Sequence, residues 1–369
     1  MSKKIVLYGA GEEGEKLLRR MEELQDAIEV LGYADSFKTG YYCGYPILSR
    51  EKMEEIEADI VITVKDHIIM KQIYDNLAWF KKGNIYWHYD DRGALHTVTY
   101  DVFLLKECIR LKDCVREKGI LPRVEMHICD YCNLNCSGCT HFSPIFERKL
   151  PDRKKRIADV QKLSEKVGVV LKFFIMGGEP FLNPDIARYI EDIRKILPDT
   201  DLWVVTNGLL IPGIEEEVLA CMQRNNVAVS ISEYEPTHYV IDKIKVRLEN
   251  AGLHYNIRSY DIKQKFIKPL SLSDSSKYNQ RCISEGCINI CDGMIARCPT
   301  LMYIDRFNET FGTMLPDDGI YDLDDCPSGE ELMTLLQQEV SLCRHCVENE
   351  TEWSRCGSKV VLSDFAVRD

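Results

Sequence analysis

The sequence contains no apolar run approaching the ~18 residues that span a bilayer, and Lys172 interrupts even the Val167–Met176 stretch. Its first residues, Met1-Ser2-Lys3-Lys4, precede a few apolar residues and a glycine loop rather than the long apolar core of a secretory signal. An excess of positive charge is missing too. The formal net charge is −12, so no global field draws the chain to nucleic acid or to an anionic membrane. These absences predict a cytoplasmic chain with neither nucleic acid nor membrane as a partner. Cysteine, by contrast, is plentiful. A reducing compartment disfavours disulfides, and twelve of the sixteen cysteines fall within residues 129–139 and 282–356. Clustered thiols in that setting point to metal.

At 369 residues, the chain has material for two or three domains on a prior of roughly 150 residues each. Residues 1–97 read as a small nucleotide-fold unit. Lys3–Tyr8 has the pattern of a buried strand, followed by Gly9-Ala10-Gly11-Glu12-Glu13-Gly14 and a helix whose apolar face is Leu17, Leu18, Met21, Leu24 and Ile28. In a strand–loop–helix context, Gly9 serves the tight turn, Gly11 admits a phosphate and Gly14 permits close helix packing. A strand over Val30–Ala34 ends at Asp35, where an acidic side chain would meet a ribose hydroxyl. Asp59–Val64 and Ile85–Trp87 supply further strands, while Glu12 and Glu13 place negative charge beside the spot a pyrophosphate would take. The G-A-G-E-x-G, G-Y-A-D and G-Y-P-I-L segments resemble small Rossmann-like domains attached to bacterial carbohydrate- and polysaccharide-modifying enzymes. That resemblance implies a nucleotide-sugar or a coenzyme as ligand. Packing or partner contact is the alternative role.

Residues 98–122 form a connector, predicted helical from Val102, Leu105, Cys108, Ile109, Leu111 and Val115 and closed by Gly119 and Pro122. Cys108 and Cys114 read there as small buried hydrophobes. From residue 123 to 260 strands and helices alternate. The strands are Val124–Ile128, Val170–Met176, Leu202–Thr206, Val227–Ser232 and Tyr255–Arg258, and the clearest helix carries Ile186, Ile190, Ile193 and Leu197 on one side. Alternating βα units imply a parallel sheet, with ligands gathered at the C-terminal strand ends. Those ends carry Cys132, Cys136 and Cys139, then Gly177-Gly178-Glu179-Pro180, then Asn207-Gly208, then Ser230 and Ser232. Three thiols within eight residues suit an iron–sulfur cube with one iron open better than a tetrahedral zinc site.

C-x₃-C-x₂-C after the first strand, with G-G-E-P after the second, resembles the radical S-adenosylmethionine (SAM) superfamily. The resemblance implies a partial (β/α)6 barrel over residues 123–260. It makes Cys132, Cys136 and Cys139 ligands of a [4Fe–4S] cluster whose open iron is chelated by SAM. Gly177, Gly178 and Glu179, with Pro180, would hold the methionine amino group; Asn207, Ser230 and Ser232 would contact methionine or ribose. The residue before the third cysteine is commonly aromatic in that family but is Gly138 here, so Tyr131 or Phe142 is expected to hold the adenine. Cys129 is a further thiol in the run, read as a spare rather than a ligand.

Residues 261–369 hold Cys282, Cys287, Cys291, Cys298, Cys326, Cys343, Cys346 and Cys356. Gly293-Met294-Ile295-Ala296-Arg297-Cys298 with Cys343-x₂-Cys346 resembles the auxiliary-cluster extensions called SPASM and, in the shorter form, twitch. Glu352 stands where the longer form has a cysteine, and none follows Cys356. The resemblance therefore implies one auxiliary [4Fe–4S] cluster on Cys282, Cys298, Cys343 and Cys346, with Cys287 or Cys356 as substitutes. A structural zinc site on Cys343 and Cys346 is the alternative to that cluster, and a non-catalytic zinc-binding scaffold is the alternative for the chain as a whole. An auxiliary cluster can accept the electron left on a substrate radical, so the implied activity is a radical oxidoreductase. It would act on a sugar, cyclitol or nucleotide-linked small molecule, fed by a low-potential donor such as flavodoxin or ferredoxin. A radical peptide maturase is the alternative.

Overall fold

A computed structural model describes residues 3–22, 28–88, 108–111, 118–263, 265–275 and 286–367. Two compact units emerge: Met1–Ile120 with Val167–Leu171, and Leu121–Lys166 with Lys172–Asp369.

The first unit is built on a seven-stranded sheet. Its strands are β1 (Lys3–Tyr8), β2 (Ile28–Ala34), β3 (Gly40–Tyr42), β4 (Tyr45–Ile47), β5 (Asp59–Ile62), β6 (Ile85–His88) and β7 (Cys108–Arg110), in the order β3-β4-β2-β1-β5-β6-β7. β1 is parallel to β2 and β5, and β5 is parallel to β6. Alternation sends Ile5 and Leu7 to one face, against Leu17, Leu18 and Met21 of helix α1 (Glu12–Glu22). Val6, Ile60 and Ile62 go to the other face, against Met53 of α2 (Arg50–Glu55) and Met70, Ile73 and Tyr74 of α3 (His67–Asn76).

Two expectations change here. Ile28 opens β2 instead of extending the α1 face, and Leu24 lies outside the described residues. Part of the connector is strand rather than helix: Cys108–Arg110 pairs antiparallel with β6, while Lys118 is helical. Ladder bonds to β6 and burial of Cys108 against the sheet outweigh the helical spacing of so short a piece. The rest of that predicted helix, with Cys114, lies outside the described residues.

The second unit carries an open eight-stranded sheet, a partial barrel in the order β12-β11-β10-β9-β8-β14-β15-β16. Its core runs β8 (Ile120–Cys129), α4 (Arg153–Lys166), β9 (Val169–Gly177), α5 (Ile186–Ile196), β10 (Asp201–Thr206), α6 (Glu216–Arg224), β11 (Val227–Ser232), α7 (Ile241–Asn250) and β12 (Tyr255–Arg258). Strands β9 to β12 lie side by side in chain order and are parallel. α5 buries Ile186, Tyr189, Ile190 and Ile193, the stripe its periodicity demands.

The cysteine-rich region completes this sheet. After β13 (Lys265–Ser271), strand β14 (Ile288–Cys291) joins β8 in parallel, and β15 (Met294–Ala296) and β16 (Ile320–Asp322) follow antiparallel. Helix α8 (Ile304–Phe311) buries Phe307 against Phe142 and Phe365. β13 also pairs with β17 (Cys346–Glu352) and β18 (Ala366–Val367) in a three-stranded sheet. No helix is long and apolar enough to cross a membrane among the described residues.

Candidate active site

The C-terminal ends of β8 to β12 surround a cavity of ≈ 290 Å³. Cys132, Cys136 and Cys139 all line it, together with Gly177, Gly178, Asn207 and Ser232. The loop carrying the thiols turns twice through left-handed backbone, at Asn135 (φ 52°) and Gly138 (φ 78°). At Gly138 this conformation is joined by close approach: an added Cβ would lie 2.9 Å from the Ile267 carbonyl oxygen and 3.1 Å from the Phe266 ring. A side chain before Cys139 would collide with β13, so glycine replaces the aromatic residue there. Leu134, fully buried, anchors the loop.

Each thiol has donors aimed at it. Leu134 N–H meets Cys132 Sγ at 3.4 Å, and Trp353 Nε1–H meets Cys136 Sγ at 3.1 Å. Backbone N–H groups of His141, Phe142 and Ser143 serve Cys139. Burial nevertheless raises all three thiol pKa values, that of Cys132 to about 12. Binding a metal group must therefore displace protons. No carboxylate among the described residues lines the cavity. Among the described residues, no three Cys, His, Asp or Glu side chains converge closely enough to hold a metal ion. The three thiols instead share one cavity wall, an arrangement whose all-sulfur donor set fits a cluster with one open iron.

The glycine-rich stretch after β9 is held by contact. A Cβ on Gly177 (φ 149°) would come within 2.0 Å of the Cys129 carbonyl oxygen, and one on Gly178 within 2.3 Å of the Tyr131 carbonyl. Glu179 is fully buried behind the cavity wall and does not line it. Its carboxylate accepts from Phe181 N–H (3.2 Å), Thr206 Oγ1 (2.8 Å) and Asn207 N–H (3.0 Å). Burial raises its pKa to about 7 against the pull of those three bonds. Asn207 then donates its side-chain amide to Asn133 Oδ1 (2.6 Å), tying the end of β10 to the thiol loop.

Of the other residues singled out from sequence, Ser232 lines the cavity, while Pro180 and Ser230 are buried away from it. Cys129 is buried and donates to the Tyr131 carbonyl. Neither Tyr131 nor Phe142 lines the cavity; Phe142 packs between Phe307 (ring centroids 5.0 Å apart) and Phe365 (5.5 Å). Apolar packing claims that ring. The aromatic wall is formed by Tyr234 and Phe266, with His141, Arg258 and Lys265 also on the cavity. Sequence reading missed these five. Tyr234, two residues past Ser232 at a strand end, was the one with a positional signal.

In the first unit, Gly9 (φ 122°) crosses over Thr63, and a Cβ on Gly14 would strike the Gly9 carbonyl oxygen at 2.2 Å. Gly11 faces open space. Asp35 turns both carboxylate oxygens to backbone: Oδ2 accepts from Ala10 N–H (2.9 Å), Oδ1 from Phe37 N–H (2.9 Å) and Lys38 N–H (3.1 Å). These three bonds hold the shape of the loop.

With this geometry in place, similarity to known proteins becomes informative. Residues 126–250 match the family model described as the radical SAM superfamily, spanning the thiol loop, the glycine-rich stretch and strands β9 to β11. The chain carries a radical SAM domain. Such a domain takes a [4Fe–4S] cluster and SAM as cofactors. Residues 1–79 match a second model, C2185-like, N-terminal.

A GTP 3',8-cyclase of Alkaliphilus oremlandii is 31% identical over 122 residues, covering 31% of this chain and 36% of its own. One from Microcystis aeruginosa is 26% identical over 124 residues, covering 33% and 37%. The chain thus spans little more than a third of the length of these relatives. Among solved structures, that of BtrN in complex with AdoMet and 2-DOIA covers 61% of this chain and 92% of its own, at 13% identity and a TM-score of 0.38. That of native anSMEcpe with bound AdoMet and a peptide covers 37% and 42%, at 18% identity and a TM-score of 0.29.

Beyond the radical SAM domain lie the thiols read from sequence as auxiliary-cluster ligands. Cys298 caps the turn Pro299–Met302, its sulfur accepting from Leu301 N–H at 3.5 Å. Cys343 packs against the same apolar cluster as Cys298, and Cys346 starts β17 opposite Leu270. Cys282 lies outside the described residues. Cys287 is within electrostatic reach of Glu125 and Cys298, with burial pushing its thiol up to about 12. Cys356 packs against the same apolar cluster as Cys298 and Cys343, and its backbone N–H donates to the Asn135 carbonyl at 2.8 Å, which ties it to the first thiol loop.

Proposed function

We propose that this chain is a radical SAM oxidoreductase that abstracts hydrogen from a substrate C–H bond and passes the substrate electron to an auxiliary cluster. The observation that carries it is the convergence of Cys132, Cys136 and Cys139 with Gly177, Gly178, Asn207 and Ser232 on one cavity. When bound, the cluster and SAM supply a 5′-deoxyadenosyl radical, the species able to attack an unactivated C–H bond.

The chain's own residues do the positioning. Cys132, Cys136 and Cys139 would each hold one iron of the cluster, with the remaining iron open to SAM. Gly177 and Gly178 present bare backbone to the methionine end, with Asn207 and Ser232 beside it. Glu179 keeps Asn207 in place, and Tyr234 and Phe266 offer aromatic faces to the adenine. Cys282, Cys298, Cys343 and Cys346 are the ligands proposed for the auxiliary cluster, and a flavodoxin or ferredoxin the proposed electron donor.

The substrate class proposed is a sugar, cyclitol or nucleotide-linked small molecule. The strand, glycine loop and helix of the first unit support it, as does likeness to relatives named for a reaction of GTP. Those relatives also favour a second reading, radical ring closure on a nucleotide without net oxidation. Counting electrons released per product separates the two.

The founding test is Cys136→Ala. Anaerobically reconstituted wild type should cleave SAM to 5′-deoxyadenosine under reduction and the variant should not. Cleavage that survives the substitution removes the cluster assignment, and zinc in place of iron and sulfide ends the radical proposal.

A further inference from the structure

A segment more than two hundred residues downstream completes the first thiol loop. Ser137 N–H donates to the Ser354 carbonyl (2.9 Å), Cys356 N–H donates to the Asn135 carbonyl (2.8 Å), and Cys136 forms an antiparallel bridge with Arg355. Gly138 N–H and Ser137 Oγ both reach the Asp364 carbonyl, at 2.7 and 2.9 Å. Residues 354–356 are thereby zipped to residues 135–137, and Trp353 is brought beside Cys136 and Tyr234.

Its indole is fixed at both faces of its function. The ring stacks on Tyr234, centroids 5.7 Å apart and planes 24° from parallel, and Tyr234 in turn meets Phe266 edge-on at 5.8 Å. The indole N–H, a donor with no accepting capacity, points at Cys136 Sγ, 3.1 Å away. Cys136 is itself 7% exposed, so water contributes little to this sulfur.

We propose that Trp353 is a positioning residue that sets the reduction potential of the cluster held by Cys132, Cys136 and Cys139. The inference rests on the radical SAM reading of that loop. A cysteine sulfur bound to iron keeps lone pairs, and a donor directed at it stabilises the state richer in electrons. The reaction concerned is a one-electron reduction, the electron coming from a flavodoxin- or ferredoxin-class donor, with no proton transferred and no bond broken. The N–H bond to sulfur therefore raises the potential into the range such donors reach, while stacking on Tyr234 keeps the donor aimed.

The test compares reconstituted full-length wild type with Trp353→Phe, which retains an aromatic ring against Tyr234 and loses the donor. The quantity read is the midpoint potential of the paramagnetic signal that SAM perturbs, followed by EPR during redox titration. A shift to more negative potential at wild-type iron content supports the assignment, and an unchanged midpoint overturns it. Independently of any variant, wild type labelled with indole-15N tryptophan should show a 15N hyperfine coupling to the reduced cluster in pulsed EPR. Absence of that coupling overturns the proposal even if Trp353→Phe fails to fold. A wild type with no SAM-responsive cluster fails the underlying reading instead, a result distinct from an unshifted potential.

Discussion

The backbone N–H of Asn207 donates to the Glu179 carboxylate at 3.0 Å, joining the ends of two neighbouring parallel strands. Because Thr206 Oγ1 binds the other oxygen at 2.8 Å, the carboxylate acts as a staple rather than a ligand facing the cavity. Asn207 passes the constraint on to Asn133 in the thiol loop. One buried acid thus sets the relative position of three cavity walls.

That acid gives the protein a pH signature. Its pKa rises from an ordinary 4.5 to about 7 in the folded chain, chiefly through burial. The folded state then holds more protons than the unfolded one between those values. This contribution to stability is fully present below pH ~4.5 and lost as pH rises through ~7. The shift corresponds to about 3 kcal/mol as an upper order of magnitude. Urea melts of Glu179→Gln should lack this slope. A wild type equally stable at pH 5 and 8 rules out the raised carboxyl.

Gly178→Ala tests the contact between β9 and the thiol loop. Its Cβ would sit 2.3 Å from the Tyr131 carbonyl and 2.8 Å from Cys132 N, all backbone atoms that cannot rotate away. Overpacking of this kind costs about 1–3 kcal/mol. The variant should melt lower and retain less iron after reconstitution. Gly213→Ala, with nothing within 4 Å of its Cβ, should match wild type in both measurements.

Arg156 is buried to 2% and is bonded to the His127 carbonyl (3.1 Å) and Asp292 Oδ1 (2.7 Å), with Asp130 Oδ2 at 3.8 Å. It connects α4 and β8 to the turn between β14 and β15. Arg156→Met leaves the His127 carbonyl without this donor and should cost about 1–3 kcal/mol. Asp292→Asn removes only an exposed partner and should cost about 0–1 kcal/mol. Denaturant titration of both variants checks the ranking, and equal losses would contradict it.

Asp35→Ala removes the acceptor for Ala10, Phe37 and Lys38 N–H. Hydrogen exchange at those three amides should accelerate, with about 1–3 kcal/mol of local stability lost. Protection unchanged at Ala10 would show that the glycine loop holds its shape unaided.

Much of the scaffold was legible because strands buried on both faces leave continuous apolar runs. β11 and β12 coincide with the segments read from sequence, and β8, β9 and β10 are longer by one to four residues at an end. β14 escaped notice because Ile288–Cys291 is four residues with a buried Asn289 in the middle, too short for a period to register. The apparent helix over Cys108 to Leu111 failed for a related reason: a few apolar residues at helical spacing yield to an available sheet edge.

The chemistry-bearing residues of the radical SAM domain were legible in sequence, since the thiol run and the glycine turn are each a short continuous pattern. The spacing of Cys132, Cys136 and Cys139 and the glycines after β9 were therefore determined by the chain alone. What surrounds them was not. Phe142 was withdrawn into an apolar core by Phe307 and Phe365, and the aromatic wall came from Tyr234 and Phe266. Trp353 reached Cys136 only because β17 returns beside β13 and delivers the segment after it to the loop. Contacts across such separations depend on how sheets and strand returns close in space, a relation that no local pattern of residues encodes.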